Sequence, residues 1–209
     1  MAARHERSPC KENPSIAKPV TTVRPAEFER NAGVLSLQSG YALPARYHPR
    51  ALILIVARFS PCLSPGKLTA AGYDVTSADL VDRGFGTGGH DFLKSDKPLA
   101  KHIITNPPYG THGLGDAFVR RALIHARKTG GTVAMLLNLR SLANPNRHAK
   151  FVKTPPSAIY ILDDLTCWPE GKPTSKTARI ARQQYYWAVW KPGHKGAPKM
   201  WWLSTRDFK

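Results

Sequence analysis

The chain is predicted to be an α/β protein built on a mostly parallel, doubly wound sheet with an antiparallel edge strand. Three observations predict it. Ala51-Leu-Ile-Leu-Ile-Val-Ala57 is a continuous apolar run, as a strand buried on both faces of a parallel sheet requires. Short β-rich runs alternate with helical patterns, which favours parallel crossovers. The stretch His102-Ile-Ile-Thr-Asn-Pro-Pro-Tyr-Gly110 is a strand running into a stiff turn. Neither proline can donate an N–H, and each holds φ near −65°. Residues before proline are pushed to extended backbone, so Asn106 and Pro107 stay out of the helical region. Such a tip lies at the carboxyl end of a strand, where ligands bind in open α/β sheets.

The elements follow in order. Residues 1–49 carry prolines at 9, 14, 19, 25, 44 and 49 and no sustained apolar period, so an irregular or disordered arm is expected. A domain over 50–196 follows. Its first strand is the 51–57 run, then a loop from Arg58 to Gly66 and a short helix from Lys67 to Ala71, stopped by Gly72. Tyr73 to Ser77 reads as the next strand, with Asp79 at its end. Gly84 to Gly89 is a glycine-rich loop leading to Asp91-Phe92. Asp116 to Lys128 is the clearest helix: Val119, Ala122, Leu123 and Ala126 form one stripe, with Arg120, Arg121, Arg127 and Lys128 mostly off it. Asp116 suits the helix's positive end, and Gly130-Gly131 stops it. Thr132 to Leu137, Ala158 to Leu162 and Tyr185 to Trp190 are three further strands, the last two forming the addition at the sheet edge. Residues 197–209 read as a basic tail.

Charge narrows the function classes. Thirty-one Lys and Arg stand against 14 Asp and Glu, a net +17 with a pI near 10.2. The excess is uneven. Residues 140–209 hold 13 basic and 4 acidic side chains, against 8 and 4 in residues 1–50. A polyanionic partner is implied, and nucleic acid comes before membrane because no apolar run is long enough to span a bilayer. The three cysteines, Cys10, Cys62 and Cys167, form neither a disulfide framework nor a zinc pattern. That usage, with a polar N-terminus, fits a reducing cytoplasm. No metal is expected, and the sequence leaves the oligomeric state open.

The Asn106–Tyr109 tip presents an amide, carbonyls with no neighbouring N–H and an aromatic ring, groups able to hold a planar base that carries an amino group. Asn106-Pro107-Pro108-Tyr109, after an Asp-ended strand and an Asp-Phe pair, resembles the amino-group class of S-adenosylmethionine-dependent methyltransferases, and within it the adenine-N6 DNA methyltransferases. The resemblance covers roughly residues 51–196 in motif order and spacing. It implies a Rossmann-like methyltransferase fold, S-adenosylmethionine as cofactor and the exocyclic amino group of adenine in DNA as target. It further implies that Asn106 Oδ1 and the Pro107 carbonyl accept the two amine hydrogens, freeing the nitrogen lone pair, while Pro108 stiffens the turn and Tyr109 stacks on a base flipped from a duplex.

On the cofactor side the resemblance implies that Asp79 binds the ribose hydroxyls, with Leu80 also in the cofactor site, and that Asp91 and Phe92 meet the adenine amino group and ring. The loop after the first strand departs from the family pattern, acid-Pro-x-x-Gly-x-Gly. Here it reads Ser60-Pro61-Cys62-Leu63-Ser64-Pro65-Gly66, so Ser60 replaces the acid and Ser64 the first glycine, while Pro61 and Gly66 match. For nucleic-acid contact, Arg147 lies in a segment resembling one in phage-type relatives, and Lys172, Lys176, Arg179 and Arg182 lie in a basic loop bounded by Trp168 and Tyr185. For Trp187 and Trp190, ordinary strand packing is favoured. Other readings stay open: a non-catalytic nucleic-acid-binding relative or decayed enzyme, and an enzyme acting on RNA adenine or a protein glutamine amide, since both present a planar amino group.

Overall fold

The computed structural model describes residues 53–56, 68–69, 73–82, 86–108, 113–163 and 184–204. The strands are β1 (Ile53–Val56), β2 (Val75–Ala78), β3 (His102–Thr105), β4 (Val133–Asn138), β5 (Ala158–Leu162), β6 (Tyr185–Trp190) and β7 (Lys199–Leu203). Helix α1 spans Leu114–Thr129 and α2 spans Pro145–Lys153, with a 3-10 turn at Leu139–Ala143 between β4 and α2. The seven strands form one sheet in the order β2-β1-β3-β4-β6-β5-β7. This is a Rossmann-like α/β sheet: β1 pairs in parallel with both β2 and β3, and β3 in parallel with β4. None of the helices among the described residues is long and apolar enough to cross a membrane.

The antiparallel strand expected at this end of the sheet is β6, and it lies inside the edge. It pairs antiparallel with β4 over Val133↔Trp190 to Asn138↔Tyr185, and antiparallel with β5 on its other side. The strand at the edge is β7, parallel to β5. Lys199–Leu203, read from sequence as part of a basic tail, thus belongs to the sheet. The reason β6 sits inside lies in Tyr-Tyr-Trp-Ala-Val-Trp, whose six side chains are all buried. An aromatic run apolar on both faces is stable only between neighbours, and each large ring removes roughly 150–250 Å² from water.

Alternation splits the core across the two faces of the sheet. One face gathers Leu68, Ile104, Leu136, Tyr160 and Trp187. The other gathers Phe92, Ile103, Met135, Tyr186 and Trp190, and is covered by Val119, Ala122 and Ala126 of α1. Helix α1 begins two residues earlier than the sequence pattern predicts and ends at Gly130, left-handed at φ 65°. Gly131 must also be glycine. A Cβ there would lie 1.5 Å from the Lys101 carbonyl oxygen, so only a bare backbone lets the chain turn from α1 into β4 against β3.

Helix α2 was read from sequence only as part of a resembling segment. Its start is locally specified. Asn144 accepts from the Asn146 N–H at 2.9 Å, and Pro145 occupies the first turn, the usual N-cap and N1 pairing.

Candidate active site at the switch point of the sheet

From β1 the chain moves outward to β2, then crosses back to β3 on the other side of β1. The carboxyl ends of β1 and β3 therefore flank a topological switch point, where an open α/β sheet leaves a crevice. The Asn-Pro-Pro turn stands there. Strand β3 delivers it through Ile103, Ile104 and Thr105, all buried, with Thr105 fully so. Asn106 follows at 7% exposure, Pro107 is buried and Pro108 is half-buried. The first turn of α1 stands close by: a Cβ at Gly115 would sit 3.9 Å from the Pro108 carbonyl oxygen.

The decisive feature is the Asn106 amide. Its Oδ1 is shut off from solvent and has no hydrogen-bond partner among the described residues. A buried acceptor left unpaired costs about 1–3 kcal/mol. Such an atom is suited to a donor brought in by a ligand. Tyr109 lies outside the described residues.

Asp79 follows β2 at the same end of the sheet, with β1 lying between β2 and β3. Its N–H donates to the Thr87 carbonyl at 3.0 Å, its carbonyl accepts from the His90 N–H at 3.0 Å, and its Oδ1 accepts from the Val81 N–H at 3.1 Å. The glycine-rich loop makes this possible. Gly86 is left-handed at φ 70°, and a Cβ on it would fall 2.5 Å from the Ser77 carbonyl oxygen. The loop therefore lies directly on the end of β2, and Thr87 forms a single parallel bridge to Ala78. Leu80 and Val81 are 62% and 50% exposed. An acid followed by exposed apolar side chains makes an amphipathic ledge at the strand end.

Phe92 is buried. The resemblance implies a ring packed on a cofactor, but Phe92 is 2% exposed. It packs on Phe118 with centroids 5.3 Å apart and edge-on to His125 at 5.4 Å. Phe92 thus belongs to the core cluster beneath α1. Asp91 holds its own turn, with Oδ1 accepting from the Leu93 N–H at 3.0 Å and Oδ2 paired with Lys94 at 3.4 Å.

Arg147 also departs from expectation. It is buried at 8% exposure, its guanidinium is 2.6 Å from Asp116, and it lies 5.6 Å from the Phe151 ring centroid. Lys150 pairs with the same Asp116. This charge ties α2 to the first turn of α1 and is not presented to a phosphate. Ser60, Pro61, Ser64, Gly66, Lys172, Lys176, Arg179 and Arg182 lie outside the described residues.

His90 and Ser77 carry no sequence signal of a site. His90 Nε2 and Ser77 Oγ are both buried without a partner among the described residues; a single His in a glycine-rich loop carries no motif that would flag it. His125 is buried and bonds the Ser95 carbonyl through Nε2 at 2.8 Å, and burial holds its pKa below the usual value. Among the described residues no cluster of three His, Cys, Asp or Glu side chains could hold a metal.

No family model and no curated protein matches the chain. Solved structures of similar shape include a Listeria monocytogenes protein assigned to the class I S-adenosylmethionine-dependent methyltransferases, with 14% identity, a TM-score of 0.49, and coverage of 88% of this chain and 66% of that one. A human methyltransferase 10 domain containing protein has 14% identity, a TM-score of 0.45, and coverage of 85% and 89%. Geranyl diphosphate C-methyltransferase from Streptomyces coelicolor, in complex with S-adenosyl-L-homocysteine, has 14% identity, a TM-score of 0.38, and coverage of 79% and 81%.

Proposed function

We propose that the crevice transfers a methyl group from S-adenosylmethionine to the exocyclic amino group of adenine in DNA. The observation that carries this reading is the buried, unpaired Oδ1 of Asn106 at the switch point. A cofactor with a charged methionine end and a nucleoside end would lie across the carboxyl end of β1, its nucleoside end on the ledge after β2. Asp79 would hold the ribose hydroxyls and Leu80 the adenine face, while Phe92, committed to the core, would not take part. When bound, S-adenosylmethionine supplies an electrophilic methyl on a sulfonium.

The chain's own contribution is orientation and electrostatics. An aromatic amine is a weak nucleophile because its lone pair is delocalised into the ring. Asn106 Oδ1 accepts one amine hydrogen and the Pro107 carbonyl the other, drawing the nitrogen toward tetrahedral geometry. The nitrogen gains the methyl and sheds one proton to water. Tyr109 stacks on the extruded base. The net charge of +17 supports nucleic acid over a protein amide as the source of the amine.

A second reading is favoured by one observation. Ser60 and Ser64 stand where an acid and a glycine would serve the methionine end of the cofactor, which suits a nucleic-acid-binding relative without activity. Calorimetric titration with S-adenosylmethionine separates the two readings, and no binding at millimolar concentration would leave only the second. Label transfer to duplex DNA, RNA and protein then tests the substrate. Incorporation into protein alone would exclude DNA adenine.

A further inference from the structure

The opposite end of the sheet holds a cavity of about 600 Å³, formed where the carboxyl ends of α1 and α2 meet the loop after β6. It belongs to no part of the methyl-transfer reading, since it opens at the amino ends of the parallel strands. Five basic side chains line it: Arg127, Lys153, Lys191, His194 and Lys195. Among the described residues, no carboxylate lines it. Trp190, 4% exposed, contributes to the wall, its Nε1 fixed by a 3.1 Å bond to the Thr154 carbonyl. The volume is that of a small-ligand site.

The charges exceed what the helix ends explain. Each helix carboxyl terminus carries roughly half a negative charge, which a basic residue in the last turn answers. Arg127 and Lys153 stand in those last turns. Lys195 comes in addition, with the His194 ring beside it, from a turn bent by Gly193 at φ 72° and Gly196 at φ 104°; Lys191 lines the same cavity but has an interaction of its own. The lysine and arginine side chains of this wall are solvent-exposed, so together they present a concave positive surface open to an anion. A second observation points the same way: His194 Nε2 is shielded from solvent and has no hydrogen-bond partner among the described residues.

We infer that this cavity is a phosphate-binding site, distinct from the crevice, that takes a phosphorylated ligand or the phosphodiester backbone of a nucleic-acid strand. Lys153, Lys195 and the His194 ring hold the phosphate oxygens, and the Trp190 wall accepts the apolar part of the ligand.

The full chain is titrated by calorimetry with inorganic pyrophosphate at low salt. Two charge-matched variants are compared, Lys153→Glu/Lys195→Glu in the cavity and Lys97→Glu/Arg120→Glu on exposed surface elsewhere. The cavity pair is expected to weaken pyrophosphate roughly tenfold or more, while the distant pair changes it by no more than about twofold. Equal weakening by both pairs, weakening by neither, or no binding to the native chain overturns the site. Lys195→Ala, at an exposed position, replaces the double variant if that one fails to fold. Perturbation of the His194 ring resonances by pyrophosphate in that background gives an independent reading. Competition assigns the source: a short single-stranded DNA that displaces pyrophosphate identifies a strand backbone, and one that does not identifies a free phosphorylated ligand. None of these readouts depends on methyl transfer, so failure here leaves the crevice reading intact.

Discussion

Asn106→Ala separates a functional amide from a structural one. An ordinary buried Asn is hydrogen-bonded, and cutting it to Ala leaves its partner unpaired, at about 1–3 kcal/mol. Here Oδ1 has no partner among the described residues, although Asn106 is only 7% exposed. Removing it relieves the desolvation of an unpaired acceptor, and this offsets the packing lost with the amide. The net change in stability should fall within about 1 kcal/mol of zero, and for a chain of this size that is about 2–4 °C in melting temperature. Transfer should suffer far more. Deleting one hydrogen-bonding group aimed at a reacting centre costs about 10²–10³ in rate. Thermal melts of the ligand-free protein and labelled-methyl transfer to duplex DNA check the two halves. A variant that melts more than about 8 °C lower and keeps activity within tenfold would show that Asn106 is a packing residue, and the reasoning would fail.

Two further outcomes follow from the packing around α1. Burial lowers the pKa of His125, and burial with the adjacent Lys101 lowers that of His102, whose Nδ1 accepts from the Thr132 N–H at 3.1 Å. Both folded values lie below the usual 6.5, so their contribution is complete above that pH and is lost as pH falls through it, because the unfolded chain binds protons first. Urea midpoints should therefore drop from neutral toward about pH 5, less steeply in His125→Gln, and a flat native profile would contradict this. Asp116→Ala strands the buried Arg147 charge and should cost toward the low end of about 3–5 kcal/mol, because Asp116 keeps 18% of its side-chain surface exposed. Asp116→Leu/Arg147→Met should recover most of that in urea melts, and a double variant as unstable as the single would refute the ion-pair account.

The parts legible in the sequence were those whose signal is local. The Ile103–Thr105 strand, the stripe of α1 and the glycine stop at 130–131 are written in adjacent residues, and all stand in the structure. The parts that were not legible depend on tertiary choice. Phe92 follows Asp91 in a motif-like pair, but whether its ring meets a ligand or the core is decided by Phe118 and His125, 26 and 33 residues further along. Arg147 carries a charge that looks available in sequence until Asp116, from another helix, neutralises it. Lys199–Leu203 carries Trp-Trp beside Lys and Met, too mixed to announce a strand. Helix α2 was legible in principle from Asn144-Pro145 and was overlooked because only nine residues follow the cap.

The reversed strand β6 explains why the molecule has two separate polar ends. In a purely parallel sheet every strand delivers its following loop to the same end, and both the orphaned Asn106 oxygen and a cluster of cations would compete for that one surface. Strand β6 runs against β4 and β5, so the loop after Trp190 emerges at the amino end, beside the last turns of α1 and α2. Lys191 and Lys195 are thereby kept away from the switch point. A strong positive field at the crevice would repel a sulfonium cofactor, whereas the same charges at the far end can hold phosphates without opposing it. The antiparallel insertion, fixed by an aromatic run that must be covered on both faces, divides anion binding from the proposed chemistry.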